Sequence, residues 1–269
     1  MPAVLLMAAM TIIPILSVIQ RALQGKEAFG RLFSSPDFGT VLRNTGAWTV
    51  IAVTGALVLG YFGAMILQSK YLRASGLWRS IYLIPWIIPG VVGATVWKWN
   101  LSLDYGEINH VLQVVGIIHQ PVSWLSNPDI VLYALSAVQI WSTAPFVVLL
   151  VSAGLTSIPV ERYEAARLDG ANGFNLLRYI TLPALTGVTA IAALTLVTWA
   201  LNAFTIIWVA TQGGPAGSST ILPVLLYQAF QNGDDALVAV IALLQLVLSM
   251  TFAGVYVRLM RSERNESAA

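Results

Sequence analysis

Residues 163–185 read YEAARLDGANGFNLLRYITLPAL and mix charged with apolar side chains more freely than any other long stretch of the chain. They lie between two runs of more than twenty residues that contain no Asp, Glu, Lys, Arg or His. Apolar, charge-free runs of this length are typical of membrane-spanning helices. The segment is therefore predicted to be a polar connection between two spans. These patterns together predict that the chain is an all-α membrane protein.

The composition also favours an integral membrane protein. Hydrophobic residues make up 57% of the 269 residues and charged residues only 10%, whereas a soluble domain carries about 25% charged residues. The chain contains no cysteine, which excludes disulfides, thiolate metal sites and cysteine nucleophiles. Its net charge of +2 and its lack of a basic cluster argue against a nucleic-acid partner.

Six apolar segments are long enough to cross a bilayer core of about 30 Å as helices. They lie near residues 2–20, 45–67, 80–99, 130–153, 186–210 and 236–257. Lys98, at the edge of the third segment, is the one charged residue among them, which fits a cost of about 2.5–3.5 kcal/mol for a charge at mid-membrane. We therefore predict a single transmembrane domain, residues 1–269, with six spans.

The orientation follows from the Lys and Arg residues of the connections, because basic connections stay in the cytoplasm. Nine basic residues fall on one predicted side: Lys70, Arg73, Arg79, Arg162, Arg167, Arg178, Arg258, Arg261 and Arg264. Five fall on the other: Arg21, Lys26, Arg31, Arg43 and Lys98. The majority predicts cytoplasmic termini and a cytoplasmic loop at 154–185, although the first connection, with four basic residues, argues for the reverse.

Local chemistry predicts two short helices and a hinge inside this loop. Ser157 is a suitable N-cap for the first helix. Asp169 and Gly170 are expected to end it, with the glycine in a left-handed conformation. A second helix is predicted over 172–179, and Pro183 separates it from the next span.

One face of the first helix has the spacing of a contact surface. Val160, Tyr163, Glu164 and Arg167 follow each other at i, i+3, i+4 and i+7, so their side chains share a face. Local physics leaves two interpretations open. The helix either lies on the lipid headgroups or docks on a soluble partner.

The spacing within the loop resembles a known signature. Its fixed positions are Glu164-Ala165-Ala166, Gly170, Ile180 and Leu182-Pro183, separated by three, nine and one residues. Every position matches the EAA pattern of binding-protein-dependent ABC importer permeases. The chain therefore resembles this family, which implies an all-α transmembrane subunit of a transporter.

Other segments resemble the sugar-type, maltose-like members of the family and their F-like subunit. They are residues 83–89 (LIPWIIP), 97–99 (WKW), 104–109 (DYGEIN) and 211–215 (TQGGP), with Tyr227 and Ala229-Phe230. The maltose F-type subunit also carries additional N-terminal helices and a large external domain, which these residues do not include.

The resemblance implies that the loop is a coupling helix seated on a separate ATPase subunit. It assigns Glu164 to a salt bridge with the ATPase and Gly170 to the turn between the two short helices. The expected coupling residues are Tyr163, Glu164, Ala165, Ala166, Arg167, Asp169 and Gly170. The chain has no GxxxxGK[ST] sequence, which is the loop that cradles ATP phosphates. We therefore expect ATP and Mg²⁺ on the partner ATPase, and a non-catalytic chain that binds no cofactor or metal of its own.

The predicted spans lack mid-membrane charges, which argues against proton or sodium coupling and favours a neutral cargo. The candidates for a substrate path are Gln139, Trp141, Ser142, Thr143, Trp199, Asn202 and Thr205, with Gln245 on the sixth span. Aromatic faces, amides and hydroxyls suit a sugar. The same residues can instead join helices through interhelical hydrogen bonds. Gln139 and Asn202 are the best single candidates, because unpaired amides are unfavourable in lipid.

Two further features concern the shape of the path. Pro85, Pro89 and Gly90 predict a break in the third span, where the freed backbone groups need neighbouring helices or a cavity. The break is either part of a gate or a purely structural kink. Residues 213–219 (GGPAGSS) are expected to form a flexible external loop. The resemblance implies that the neighbouring external loops meet a solute-binding protein.

These features predict one permease subunit of an ABC importer for a neutral carbohydrate, in the plasma or inner membrane of a bacterium or archaeon. The expected partners are a second permease subunit, two ATP-binding-cassette ATPase subunits, an extracytoplasmic solute-binding protein and the lipid bilayer. The alternatives are a permease for a glycerol-phosphate-type or other polar solute, a stand-alone secondary transporter and a non-transporting scaffold. A secondary transporter predicts inverted repeats and mid-membrane charges, and the sequence displays neither.

Overall fold

The computed structural model describes residues 2–69 and 72–266. Lys70, which entered the orientation argument, lies outside the described residues, and so do the side chains of Arg261 and Arg264.

Within these residues the secondary structure is helical, with no strand. The helices are α1 (Pro2–Gln24), α2 (Lys26–Ser34), α3 (Pro36–Leu67), α4 (Ser75–Ile87), α5 (Gly90–Asn100), α6 (Glu107–Val114), α7 (Val131–Thr156), α8 (Val160–Leu168), α9 (Gly173–Leu176), α10 (Leu182–Ala184), α11 (Thr186–Leu201), α12 (Thr205–Thr211), α13 (Leu222–Gln231) and α14 (Asp235–Glu266). A π-helical turn, Leu177–Thr181, lies between α9 and α10.

Length and hydropathy select the helices that can cross a membrane. In the described part of the chain they are Leu6–Gln24, Pro36–Leu67, Val131–Thr156, Thr186–Thr211 and Asp235–Arg258. A sixth candidate is the pair α4 and α5, which is bent by 95°. The helices α3 and α14 have 32 residues each, or about 48 Å at 1.5 Å per residue, so both extend beyond a hydrocarbon core of about 30 Å.

The third span breaks beside a proline. α4 ends at Ile87, and α5 begins at Gly90 with Pro89 in the N-cap position. Pro89 cannot continue α4 because it has no backbone N–H to donate. Pro85 lies inside α4, about one turn before the break, so the interruption itself falls at Pro89 and Gly90.

The fifth span contains a break that we did not expect from the sequence. α11 ends at Leu201 and α12 begins at Thr205. Nε1 of the fully buried Trp48 donates to the Ala200 carbonyl at 3.2 Å, and Nε2 of Gln245 donates to the Leu201 carbonyl at 3.1 Å. The Ala200 carbonyl also accepts from the Ala203 N–H at 3.2 Å, so Trp48 adds a second donor there. Gln245 supplies a donor to the Leu201 carbonyl beside the break.

The main apolar core lies between α3 and α7, where glycines on α3 allow close contact. An added Cβ at Gly60 would lie 2.3 Å from Val147 Cβ, and one at Gly55 would lie 2.3 Å from Ile140 Cδ1. Small residues at such positions are the usual basis of helix association in lipid, where the tails are as apolar as leucine and packing replaces the hydrophobic effect. The α3–α7 pair is thus the central unit of the fold.

A second apolar cluster joins the end of α1, the amphipathic α2, the start of α3, α13 and the start of α14. Two ion pairs border it. Both terminal nitrogens of the Arg31 guanidinium contact Asp234, at 2.6 and 3.1 Å, and Arg21 lies 3.8 Å from Asp235. The basic first connection and the acidic turn before α14 therefore lie on the same side of the molecule.

The Arg31–Asp234 pair leads to a prediction about pH. The Arg31 guanidinium holds the pKa of the Asp234 carboxyl below its usual value of 3.8. Because the folded pKa is lowered, the stabilisation is present above the unfolded pKa and is lost as the pH falls through the folded pKa. At pH 7, Asp234→Asn should lower the thermal unfolding midpoint by roughly 1–3 °C, as befits an exposed pair. The asparagine oxygen can still accept from the Leu237 N–H, so the substitution isolates the charge.

The measurement is thermal unfolding in lipid nanodiscs between pH 7 and pH 3. The difference between wild type and Asp234→Asn should shrink as wild-type Asp234 becomes protonated. Asp235→Asn is the matched control, because its partner lies 3.8 Å away and both side chains are largely exposed. An Asp234→Asn deficit that stayed constant down to pH 3 would contradict the electrostatic explanation.

Candidate functional site

The exposed helix α8 has the expected end but a different start. Gly170, at φ +84°, follows Asp169 and reverses the chain after Leu168, as predicted. Ser157 was expected to cap the helix, and this prediction is wrong. Its Oγ donates to the Gly154 carbonyl at 2.7 Å, because Ser157 closes α7, and Pro159 occupies the N-cap position of α8 without a side-chain cap.

The second half of the loop also differs from the prediction. Asn172 caps α9 by accepting from the Asn175 N–H at 2.9 Å, but α9 ends at Leu176 and the π turn follows. Pro183 has no N–H for the carbonyl four residues before it. It does not separate a helix from the next span, as predicted, but lies within α10 between the π turn and α11.

Most of the expected coupling residues lie on the surface. Glu164, Ala165, Arg167, Asp169 and Gly170 are exposed, whereas Tyr163 and Ala166 are half-buried. Glu164 forms no ion pair with any described residue. Leu168 at the end of α8 is 89% exposed, and the sequence analysis missed it. An unpaired carboxylate beside a fully exposed leucine on a short helix is a surface suited to a protein partner.

Aromatic rings from three helices meet near the two span breaks. The Phe146 ring centroid lies 4.7 Å from that of Trp199 and 5.9 Å from that of Trp86. We call Trp86, Phe146 and Trp199 the aromatic cluster. Trp199 was predicted for the path, whereas Phe146 and Trp86 were missed. Phe146 follows Gln139 by seven residues, so the two share one face of α7, a spacing that could have revealed it.

The side-chain amides of Gln139 and Asn202, the two best single candidates from the sequence, differ in their hydrogen-bond partners. Asn202 accepts from Nε2 of Gln245 at 3.0 Å and donates to the Thr198 carbonyl at 2.8 Å. The Gln139 amide forms no hydrogen bond with the described residues, although the side chain is only 9% exposed. Asn202 and Gln245 therefore join α11 to α14, whereas the Gln139 amide joins no helix among the described residues.

The remaining candidates are divided between backbone bonds and ring contacts. The hydroxyls of Ser142 and Thr143 both donate to the Gln139 carbonyl. Trp141 makes an edge contact of 5.4 Å with Trp97, away from the aromatic cluster. Thr205 begins α12 and lies 3.7 Å from where a Cβ on Gly90 would be, so the two span breaks adjoin.

The segments after the breaks are tied together. Nζ of Lys98, near the end of α5, donates to the Val209 carbonyl of α12 at 3.1 Å. The expected flexible loop at 213–219 is instead packed, and Ser219 is fully buried. Nδ2 of Asn44 donates to the carbonyls of Gly217, Ser218 and Thr220 at 3.0–3.3 Å. The prediction of flexibility was wrong because it did not foresee an amide donor at the start of the second span.

Comparison with known proteins decides the family. Residues 56–265 match the family described as "Binding-protein-dependent transport system inner membrane component". The chain belongs to this family. The EAA loop, which pointed to the family, lies within the matched residues, and the chain is a multi-pass membrane permease.

Two of the similar curated permeases come from archaea. The chain is 34% identical to the trehalose/maltose transport system permease protein MalF of Thermococcus litoralis, over 90% of this chain and 81% of the relative. It is 33% identical to the xylose/arabinose import permease protein XacH of Haloferax volcanii, over 86% of this chain and 72% of the relative.

Solved structures establish the same fold for the permease. A chain of a bacterial alginate ABC transporter, crystallised in complex with an alginate pentasaccharide-bound periplasmic protein, superposes with a TM-score of 0.85 at 20% identity. The match covers 97% of this chain and 92% of that one. A chain of the MetNI methionine ABC transporter in an inward-facing conformation gives a TM-score of 0.57 at 20% identity, covering 85% and 98%.

Proposed function

We propose that the permease is one of two transmembrane subunits of an ABC importer for a neutral carbohydrate. The observation that carries this proposal is the surface of α8, where Glu164 has no ion-pair partner among the described residues and Leu168 is almost fully exposed. Such a surface favours a protein partner over lipid headgroups. Its occupant would be a separate ATPase that binds ATP and Mg²⁺, leaving this chain non-catalytic.

The assembly follows from the same proposal. The permease would pair with a second permease subunit and two ATPase copies, and an extracytoplasmic solute-binding protein would deliver the cargo. Both termini and the loop at 154–185 would lie in the cytoplasm. The count of nine Lys and Arg residues on that side against five on the other supports this orientation, because basic connections stay in the cytoplasm.

A neutral sugar is the cargo that the path supports best. The aromatic cluster offers ring faces for stacking, and the Gln139 amide is free to bind hydroxyls. The one charged residue of the six predicted spans, Lys98, lies at the edge of the third, so the sequence places no cation at mid-membrane for a phosphate. The names of the MalF and XacH relatives also refer to sugars. The alternative is a glycerol-phosphate-type or other polar solute, and a phosphate-bearing cargo would require cations from the second subunit.

The cargo is tested by competition for uptake into proteoliposomes that contain the complete transporter. Neutral sugars should compete with one another, and glycerol phosphodiesters and amino acids should not. Competition by phosphodiesters alone would overturn the carbohydrate assignment while leaving the ATPase coupling intact.

Trp199→Ala is expected to weaken sugar uptake through the aromatic cluster. The loss of an aromatic contact worth about 0.5–1.5 kcal/mol corresponds to a roughly 2- to 12-fold rise in the sugar concentration for half-maximal uptake. Trp99→Ala is the matched control, because Trp99 lies outside the cluster and is exposed. Equal effects of the two substitutions would argue that Trp199 only anchors the protein in the membrane.

A further inference from the structure

Tyr163 is an expected coupling residue whose position differs from the prediction. It was expected to face the ATPase with its neighbours, but it is half-buried and packs, with Ile180, against the main apolar core. Its hydroxyl oxygen lies 3.1 Å from Oγ1 of Thr181, which is 18 residues further along the chain. The contact bridges α8 and the π turn across the glycine hinge of the loop.

The direction of this hydrogen bond can be assigned. Oγ1 of Thr181 donates to the Leu176 carbonyl at 3.2 Å, and this uses the one proton of the hydroxyl. When Thr181 donates to this carbonyl, it accepts from Tyr163, with the tyrosine hydroxyl as the donor. Thr181 is only 7% exposed, so water does not readily replace either partner.

The acceptor belongs to an unusual turn. The Leu182 N–H bonds to the Leu177 carbonyl, five residues earlier, and turns of this kind are frequent at functional sites. The turn leads through α10 directly into α11. A force applied to Thr181 therefore acts on the start of the fifth span.

The other end of the loop is also held against α11. A Cβ on Gly154, near the end of α7, would lie 2.5 Å from Leu185 Cδ2 and 3.1 Å from Val188 Cγ2. Leu185 is fully buried. The end of α7 and the start of α11 thus pack together, and we call this contact, around Gly154 and Leu185, the base of α11. The Tyr163–Thr181 hydrogen bond is a polar link between α8 and this base.

We propose that Tyr163 is a positioning residue that makes α8, the π turn and the base of α11 move as one body. The proposal rests on the function proposed above, in which an ATPase displaces α8. Without the hydroxyl link, the glycine hinge after Asp169 would absorb part of that displacement. With it, the displacement reaches α11 and, through that helix, Trp199 in the aromatic cluster.

The test is Tyr163→Phe in the complete transporter, reconstituted with its solute-binding protein. This substitution keeps the ring and removes only the donor. Assembly and ATP hydrolysis should persist, whereas the amount of sugar transported per ATP hydrolysed should fall roughly two- to tenfold, the range expected for one lost hydrogen bond. Tyr133→Phe on α7 is the matched control, because Tyr133 is exposed and forms no hydrogen bond with a described residue.

Substitutions of the acceptor complete the design. Thr181→Val should lower the transport ratio as Tyr163→Phe does, Thr181→Ser should preserve it, and the double variant should be no worse than either single variant. A wild-type ratio in Tyr163→Phe, or additive losses in the double variant, would overturn the role of Tyr163. Loss of coupling in Glu164→Lys alongside a normal ratio in Tyr163→Phe would leave the docking function standing and reject only the link.

Discussion

Glu164→Lys should prevent stable assembly of the permease with its ATPase subunit. Glu164 is exposed on α8 and unpaired within the described part of the chain, so its partner would be a basic side chain on the other protein. Removing one member of a buried charge pair at an interface costs about 2–5 kcal/mol, which is roughly a 30-fold or greater loss of affinity. Reversal of the charge adds repulsion. Substrate-stimulated ATP hydrolysis should therefore disappear together with the complex.

The measurement is co-purification of the two subunits, followed by ATP hydrolysis with the loaded solute-binding protein. Glu161→Lys is the matched control, because it makes the same charge change one turn earlier on the same exposed helix. That variant should assemble normally. A Glu164→Lys complex that assembles and hydrolyses ATP as the wild type does would remove the basis for a docking role.

The exposed surface of α8 explains why the loop combines charge with apolar residues. Glu164 supplies an electrostatic contact that favours the correct partner, while Leu168 supplies apolar area that becomes buried on binding. The short helix can carry both because its inner face packs against the main apolar core through Tyr163. A helix lying on headgroups would need its apolar residues on one side facing the lipid. Here the exposed apolar side chains, Val160 and Leu168, lie at the two ends of the helix with the Glu164 carboxylate between them.

Structural features that depend on the residues of one segment alone could be predicted from the sequence. The charge-free runs predict helical spans because mid-membrane charge is costly, and the Asp169-Gly170 pair predicts the end of α8 because glycine readily adopts positive φ. Pro89 predicts the break in the third span for a similarly local reason. The family itself follows from seven fixed positions within twenty residues of sequence.

Contacts between distant segments could not be predicted in this way. Whether Asn202 binds cargo or joins two helices depends on Gln245, 43 residues away. At the break after Leu201, Trp48 and Gln245 donate to the Ala200 and Leu201 carbonyls, and no local pattern in the fifth span predicts these contacts. The packed loop at 213–219 likewise depends on Asn44, more than 170 residues earlier. In each case a polar side chain in one span determines the backbone of another.

The only sign of the central α3–α7 contact in the sequence is a set of glycines along one apolar span. Their spacing does not show which of them contacts another helix. Gly60 is buried, and a Cβ there would lie 2.3 Å from Val147 Cβ and 3.2 Å from the Ala144 carbonyl. Gly46, on the same helix, has no atom within 4 Å of the corresponding position. The two glycines therefore have the same local conformation and opposite surroundings, which makes them a matched pair.

Gly60→Ala should destabilise the permease, whereas Gly46→Ala should not. Overpacking a close contact costs about 1–3 kcal/mol, which corresponds to a fall of roughly 2–12 °C in the thermal unfolding midpoint for a chain of this size. At Gly46 the methyl group meets open space, and the better helix propensity of alanine leaves stability unchanged or slightly higher. Thermal unfolding in nanodiscs measures both. If the two variants unfolded at the same temperature, α3 and α7 would not be held together by backbone contact at Gly60, and the central unit of the fold would have to rest on other side chains.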